Sequence, residues 1–189
     1  MNNKKYKLIA LIGKAGSGKE TILKDIVKIY KLPINPIVSY TTRPMREGEV
    51  EGREYHFISK DEFEQMINNN QMFEYVQFNS WWYGTGINCL DENKINIGIF
   101  NPSGIRTLIN FSEIDLQVYY VYASDKERLL RQLNREENPN VSEIIRRYSA
   151  DEKDFENIEF NTVGILFNEN RQDELKCCDT ITDHPWFWY

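Results

Sequence analysis

An α/β fold, a mainly parallel sheet with helices on both faces, is predicted for this 189-residue chain by three observations. Short apolar runs alternate with helical patterns along most of the sequence, which implies right-handed crossovers between parallel strands. The first apolar run, Leu8 to Ile12, passes straight into a glycine-rich turn and then a helix. That puts the turn at the carboxyl end of strand one, the edge at which such sheets bind ligands. A hydrophobic content of 41% suffices for one sizeable core, so a single domain is expected.

Leu8-Ile9-Ala10-Leu11-Ile12 is continuously apolar, the pattern of a fully buried strand. Gly13-Lys14-Ala15-Gly16-Ser17-Gly18-Lys19 follows. Its three glycines let the backbone turn tightly so that successive N–H groups point inward, and the next helix adds the positive end of its dipole. Lys19 contributes a mobile full charge, so the natural occupant is a polyphosphate. The helix shows in Ile22, Leu23, Ile26, Val27 and Tyr30. Lys31 to Pro36 reads as a breaker segment, and Ile37-Val38-Ser39-Tyr40 as a short strand. Thr41 to Glu49 has no period, two arginines and a proline, and reads as a loop built around its charges.

Tyr55 to Ile58 is strand-like, and Ser59-Lys60-Asp61-Glu62 is a capping box opening a helix with Phe63, Met66 and Ile67 inward. His56, among aromatic neighbours, reads as packed structure rather than an acid or base. Phe73 to Phe78 alternates as a half-buried strand, and Trp81 to Gly86 reads as an aromatic turn. Those rings are either core or a flat stacking surface for a base beside Glu74. Ile95 to Phe100 is a strand, Gly104 to Ile109 a short helix, and Leu116 to Tyr122 a strand. A second capping box, Ser124-Asp125-Lys126-Glu127, opens a helix through Leu129, Leu130 and Leu133.

Asn134 to Asn140 interrupts with polar residues and a proline, a hinged excursion before the helix from Val141 to Phe155. Thr162 to Phe167 is the last strand, followed by Asn168-Glu169-Asn170 and a short helix ending near Lys176. The stretches Tyr40 to Gly86 and Asn134 to Arg147 are long enough to reach over the loop from either side. The tail, His184 to Tyr189, is too aromatic to leave in water and is expected to pack on the body or on a second copy, a candidate homodimer contact.

A formal net charge of −6 argues against a general nucleic-acid or anionic-membrane binder. No apolar stretch approaches a bilayer span, and Met1-Asn2-Asn3-Lys4-Lys5 lacks the apolar block of a signal peptide, so a cytoplasmic protein is expected. Cys89, Cys177 and Cys178 have no metal-ligand spacing and read as reduced thiols. Arginines nevertheless cluster from Arg43 to Arg53 and from Arg128 to Arg147, which in an acidic chain points to sites for a small anionic ligand.

Taken in order, the phosphate loop, Val38-Ser39-Tyr40-Thr41-Thr42-Arg43-Pro44-x-Arg46-x-Gly48-Glu49, Tyr55-His56-Phe57, Phe73-Glu74-Tyr75 and Tyr83-Gly84-Thr85 resemble the guanylate kinase family. The resemblance implies a P-loop NTPase fold with a parallel five-stranded core sheet (residues 1–36, 87–134 and 148–189), a monophosphate-binding insertion (37–86) and a lid (135–147). It implies ATP as phosphoryl donor, Mg²⁺ as its ion and GMP or dGMP as acceptor. Gly13, Ala15, Gly16, Ser17, Gly18, Lys19, Glu20 and Thr21 match the ATP loop, and Asn168 a position used for adenine.

On the acceptor side, Ser39, Arg43, Arg46, Glu49, Tyr55 and Tyr83 match the monophosphate cradle, where forked guanidinium donors fit phosphate oxygens. Glu74 matches the carboxylate that accepts guanine's two adjacent donors, Thr85 the hydroxyl that donates to the base carbonyl, and Asn101 lies beside the base. Lys19, Arg43, Arg135 and Arg147 would align the phosphates and neutralise the developing charge without a covalent intermediate. Two departures stand out. Glu20 replaces the Ser or Thr hydroxyl expected on magnesium, which makes it the candidate metal contact, and Ile99-Phe100-Asn101-Pro102 replaces the family's Asp-x-Asp. The alternatives are a binding module holding a peptide in the nucleotide cleft and a kinase for another monophosphate.

Overall fold

The computed structural model describes residues 5–46, 48–78, 80–135 and 137–188, so the readings that touch Met1 to Lys4, Glu47 and Tyr189 lie outside the described residues. The strands are β1 (Tyr6–Ile12), β2 (Ile34–Pro36), β3 (Tyr40–Thr41), β4 (His56–Phe57), β5 (Met72–Phe78), β6 (Trp81–Gly86), β7 (Ile95–Ile99), β8 (Ile114–Tyr122) and β9 (Gly164–Phe167). The helices are α1 (Lys19–Ile29), α2 (Lys60–Asn68), α3 (Pro102–Leu108), α4 (Asp125–Leu133), α5 (Val141–Asp154) and α6 (Arg171–Thr182).

Five parallel strands in the order β2-β7-β1-β8-β9 form the core sheet. Central β1 is apolar throughout its buried part because both of its faces are covered. Ile9 and Leu11 pack with Ile22 and Ile26 of α1 and Cys177, Cys178 and Ile181 of α6, while Leu8, Ala10 and Ile12 pack with Ile105 and Leu108 of α3. Each fully buried Ile or Leu there contributes about 1.5–3 kcal/mol. The three cysteines are free thiols, and burial pushes Cys177 up to about 11 and Cys178 up to about 12. Among the described residues no helix is long and apolar enough to cross a membrane.

A second, four-stranded sheet in the order β4-β3-β6-β5 mixes one parallel pair with two antiparallel ones. Here Trp81–Gly86 is a strand, where the sequence pattern predicts a turn. The chain reverses just before it, at Ser80 (φ 65°), and the aromatic residues favour the pleated, half-buried surface that follows. Trp82 stacks on Phe63 of α2 with ring centroids 5.9 Å apart, and Trp81 is exposed. Of the two readings of these rings, Trp82 follows the core one. His56 packs against Tyr40 (4.9 Å between rings) and its Nδ1 lies 2.9 Å from Glu51.

Other elements differ from the pattern-based reading for identifiable reasons. The strand expected at Ile37 to Tyr40 is split. Ile34–Pro36 joins the core sheet, where an edge position tolerates the proline, and the Ile37 N–H donates to Ile97 O (2.8 Å) before Tyr40 enters the second sheet. Helix α6 continues past Lys176 to Thr182, because Cys177, Cys178 and Ile181 extend its buried face. The capping box at Ser59 is complete. At Ser124 only half of it forms, since its N–H and hydroxyl donate to Glu169 (2.7 Å each) and not to Glu127. The tail folds onto the body through buried Phe187, with Trp186 beside it and Trp188 exposed.

Candidate active site

The loop after β1 is shaped by close backbone approach. A Cβ at Gly16 (φ 80°) would lie 2.6 Å from the Arg128 carbonyl oxygen, and one at Gly18 (φ 96°) would collide with the Asn168 amide, so neither position admits a side chain. Gly18 caps α1 without any side-chain hydrogen bond, leaving the N–H groups of the first helical turn to an anion. Lys19 curls over the loop, donating to Gly13 O (2.6 Å), Lys14 O (3.1 Å) and the Ser17 hydroxyl (3.4 Å). Loss of hydration pushes its ammonium down to about 8, against the opposing pull of Asp151 and Glu20. Thr21 begins the helical ladder with its N–H on Gly18 O.

Helix α4 braces this loop with two arginines that sequence reasoning did not single out. Arg128, 2% exposed, donates to Ala15 O (3.1 Å) and pairs with Asp125 (2.8 Å) and Asp151 (3.4 Å). Arg131 donates to the carbonyls of Gly16, Ser17 and Asn168. Their signal was the spacing of Arg128 and Arg131, three residues apart and so on one face of a helix. Asn168 is fully buried and donates to Ser17 O (2.8 Å), so it supports the loop from behind, and its Oδ1 has no partner among the described residues. The two arginines expected on a lid are apart: Arg135, exposed just beyond α4, lies 3.8 Å from exposed Glu20, and Arg147 on α5 pairs with Glu143 (2.8 Å). Arg146 and Arg147 together pull Glu143 down to about 2.

In the second sheet, the β5–β6 register sets Glu74 beside Thr85. Both are buried, and the Thr85 hydroxyl donates to Glu74 Oε1 (2.8 Å) while lying 3.1 Å from the Ser39 hydroxyl. Burial pushes the Glu74 carboxyl up, and the donors of Thr85 draw it partly back. A Cβ at Gly104 would sit 3.1 Å from Glu74 Oε2, so α3 presents bare backbone to the carboxylate. Asn101, read as a base contact, is the N-cap of α3, its Oδ1 accepting the Gly104 N–H (2.7 Å). Arg43 is buried beside the rings of Tyr55 and Phe57 (5.7 and 5.5 Å to their centroids) and makes a two-pronged pair with Glu49 (3.0 and 2.8 Å), which holds the Glu49 carboxyl below its usual range. Glu49 also accepts the Arg46 N–H (2.7 Å); Tyr83 packs edge-on to Tyr55 (5.9 Å).

The chain thus combines a glycine-rich loop with a lysine folded over it, a buried carboxylate and a buried arginine pocket. The sequence model of guanylate kinase matches residues 5–182. The chain belongs to the guanylate kinase family. It is 31% identical to the guanylate kinase of Schizosaccharomyces pombe over 183 residues (94% of this chain, 90% of that protein). With the guanylate kinase of Sulfurimonas denitrificans it shares 30% identity over 190 residues (97% and 90%). A mouse protein, MAGUK p55 subfamily member 4, matches at 31% over 62% of this chain but only 19% of its own length. In fold, this guanylate kinase family member is similar to the crystal structure of guanylate kinase from Anaplasma phagocytophilum, with a TM-score of 0.64 over 95% of this chain and 85% of that one at 18% identity.

Proposed function

We infer that the chain catalyses ATP-dependent phosphorylation of GMP or dGMP by direct in-line transfer. The observation that carries this is Glu74, a buried carboxylate whose hydrogen bonds among the described residues come from one residue, Thr85. Such a group is stable only if a ligand supplies further donors, and guanine carries two adjacent ones on its Watson–Crick edge. A base without them leaves the charge buried and unpaired. The Thr85 hydroxyl has one proton, so a contact to the base carbonyl requires it to leave Glu74.

Opposite, the N–H groups of the loop and Lys19 hold the donor, while Arg43, Arg46, Tyr55 and Tyr83 hold the acceptor phosphate, with Glu49 positioning Arg43 until it arrives. Arg135 and Arg147 converge on the transferring group when the segment between α4 and α5 closes. Positioning and charge neutralisation are the whole of the protein's part. Asn101 supports the base side through its cap, and Asn168 supports the adenine side through the loop.

Mg²⁺ fits this chain as an ion carried by the phosphates. Among the described residues no group of three or more His, Cys, Asp or Glu is placed to hold a metal. Magnesium binds in that setting through one or two carboxylates plus phosphates and waters, and Glu20 in the first turn of α1 is an exposed carboxylate open to it. The ion would neutralise the donor's charge. The cytoplasm, where thiols stay reduced, is the compartment this reading assigns. Retention of Lys19 and the loop glycines speaks against a scaffold, which has no use for a lysine aimed at a polyphosphate.

A coupled ADP-release assay across a panel of nucleoside monophosphates, with and without magnesium, tests the reading. GMP and dGMP should turn over, AMP should lag by orders of magnitude, and omission of magnesium should abolish the rate. ADP release with none of them would make the chain a binding module, and equal rates with GMP and AMP would overturn the role given to Glu74.

A further inference from the structure

The donor loop already holds an anion that belongs to the chain itself. Asp151, on the third turn of α5, accepts the N–H of Ala15 at 2.5 Å. Beside it, Glu152 takes the Lys14 ammonium at 2.6 Å. The buried Arg128 also pairs with Asp151, at 3.4 Å, but Arg128 has Asp125 closer, at 2.8 Å, and the shortest contact of Asp151 is the one to the loop N–H. Asp151 also exerts the largest opposing pull on Lys19. A carboxylate that takes a loop N–H and faces the loop lysine uses the donors a polyphosphate would use.

We propose that Asp151 is an internal phosphate mimic, displaced when the donor nucleotide binds, so that it lowers donor affinity and couples occupation of the loop to release of α5. This rests on the reading of residues 13–19 as the donor site. The coupling has a mechanical consequence. Helix α5 also carries Arg147, so freeing Asp151 removes one of the two carboxylates, with Glu152, that tie to the loop the helix that must bring Arg147 to the phosphates. By reciprocity, whatever stabilises α5 on the loop weakens the donor, and the donor loosens α5 to the same extent.

Isothermal titration of the full chain with ADP, a non-hydrolysable imido analogue of ATP, and tripolyphosphate tests this, comparing wild type with Asp151→Asn. The amide keeps the shape and can still accept the Ala15 N–H but carries no charge. Donor affinity should rise roughly tenfold or more, the worth of one hydrogen bond to a charged group, while GMP affinity stays unchanged. Unchanged or weaker donor binding by Asp151→Asn, with wild type still binding, overturns the mimic and leaves the donor site standing. If wild type binds no donor or tripolyphosphate, the donor-site reading fails and the mimic with it.

Amide hydrogen exchange on wild type reads the same event without a substitution. Tripolyphosphate should slow exchange in the loop and speed it in α5. Slowing in both overturns the proposal.

Discussion

The donor loop and the acceptor pocket hold their charges by different means. The loop lies at the end of the buried central strand, with Arg128 and Arg131 donating to its carbonyls and Asn168 behind it, all contributed by segments far away in sequence. The phosphate cradle of the acceptor side stands on β3 and β4, strands of two residues each, and its Arg43 is neutralised locally by Glu49, six residues on. Core packing therefore sets the geometry of the loop, while the pocket of Arg43 is set by a local pair whose arginine, on the function proposed, is shared with an arriving phosphate. Segments held by strands as short as these open at low free energy, which is what the monophosphate region would need if it closes on its ligand as proposed.

The contrast can be broken most severely at the base. Glu74→Gln keeps the shape of the buried side chain and removes the charge that matches two donors. A preference for GMP over AMP, which such a site can raise to roughly 10⁴-fold, should fall by most of that factor in kcat/KM. An unchanged ratio would mean that something other than Glu74 reads the base. At the loop, Lys19→Ala removes the charge proposed to act on the transferring phosphate, and turnover should drop roughly 10²- to 10³-fold. Its Tm should hardly move, because the ammonium is held by loop carbonyls and disfavoured by dehydration. Near-normal turnover would detach Lys19 from the chemistry.

The smallest effect sharpens the same point through protons. Lys19 is pushed down to about 8 from an ordinary 10.5, so within the folded chain it loses its proton earlier than in the unfolded one. Its contribution to stability is therefore unfavourable below about pH 8 and recovers as pH rises toward 10.5. A polyphosphate reverses the shift by supplying negative charge. Binding of ADP at pH 8.5 should take up a fraction of a proton, and at pH 6.5 none through Lys19, which is already charged. Calorimetry in buffers of different ionisation enthalpy measures this, and equal uptake at both pH values would assign it to other groups.

What the sequence by itself determined is what neighbouring residues decide among themselves. The run from Leu8 to Ile12, the glycine spacing from Gly13 to Gly18, the box at Ser59 and the helix from Val141 are all written within one or two turns of chain, where period, capping and turn chemistry act. Tertiary structure decided which distant groups meet. Glu169 displaced Glu127 at Ser124, Asn101 became a cap, and Trp81–Gly86 found a strand partner. Asp151 met Ala15 across 136 residues. A sequence displays every charge, but the depth at which each is buried and the partner it faces depend on how helices and strands stack, and at that range no local period carries the information.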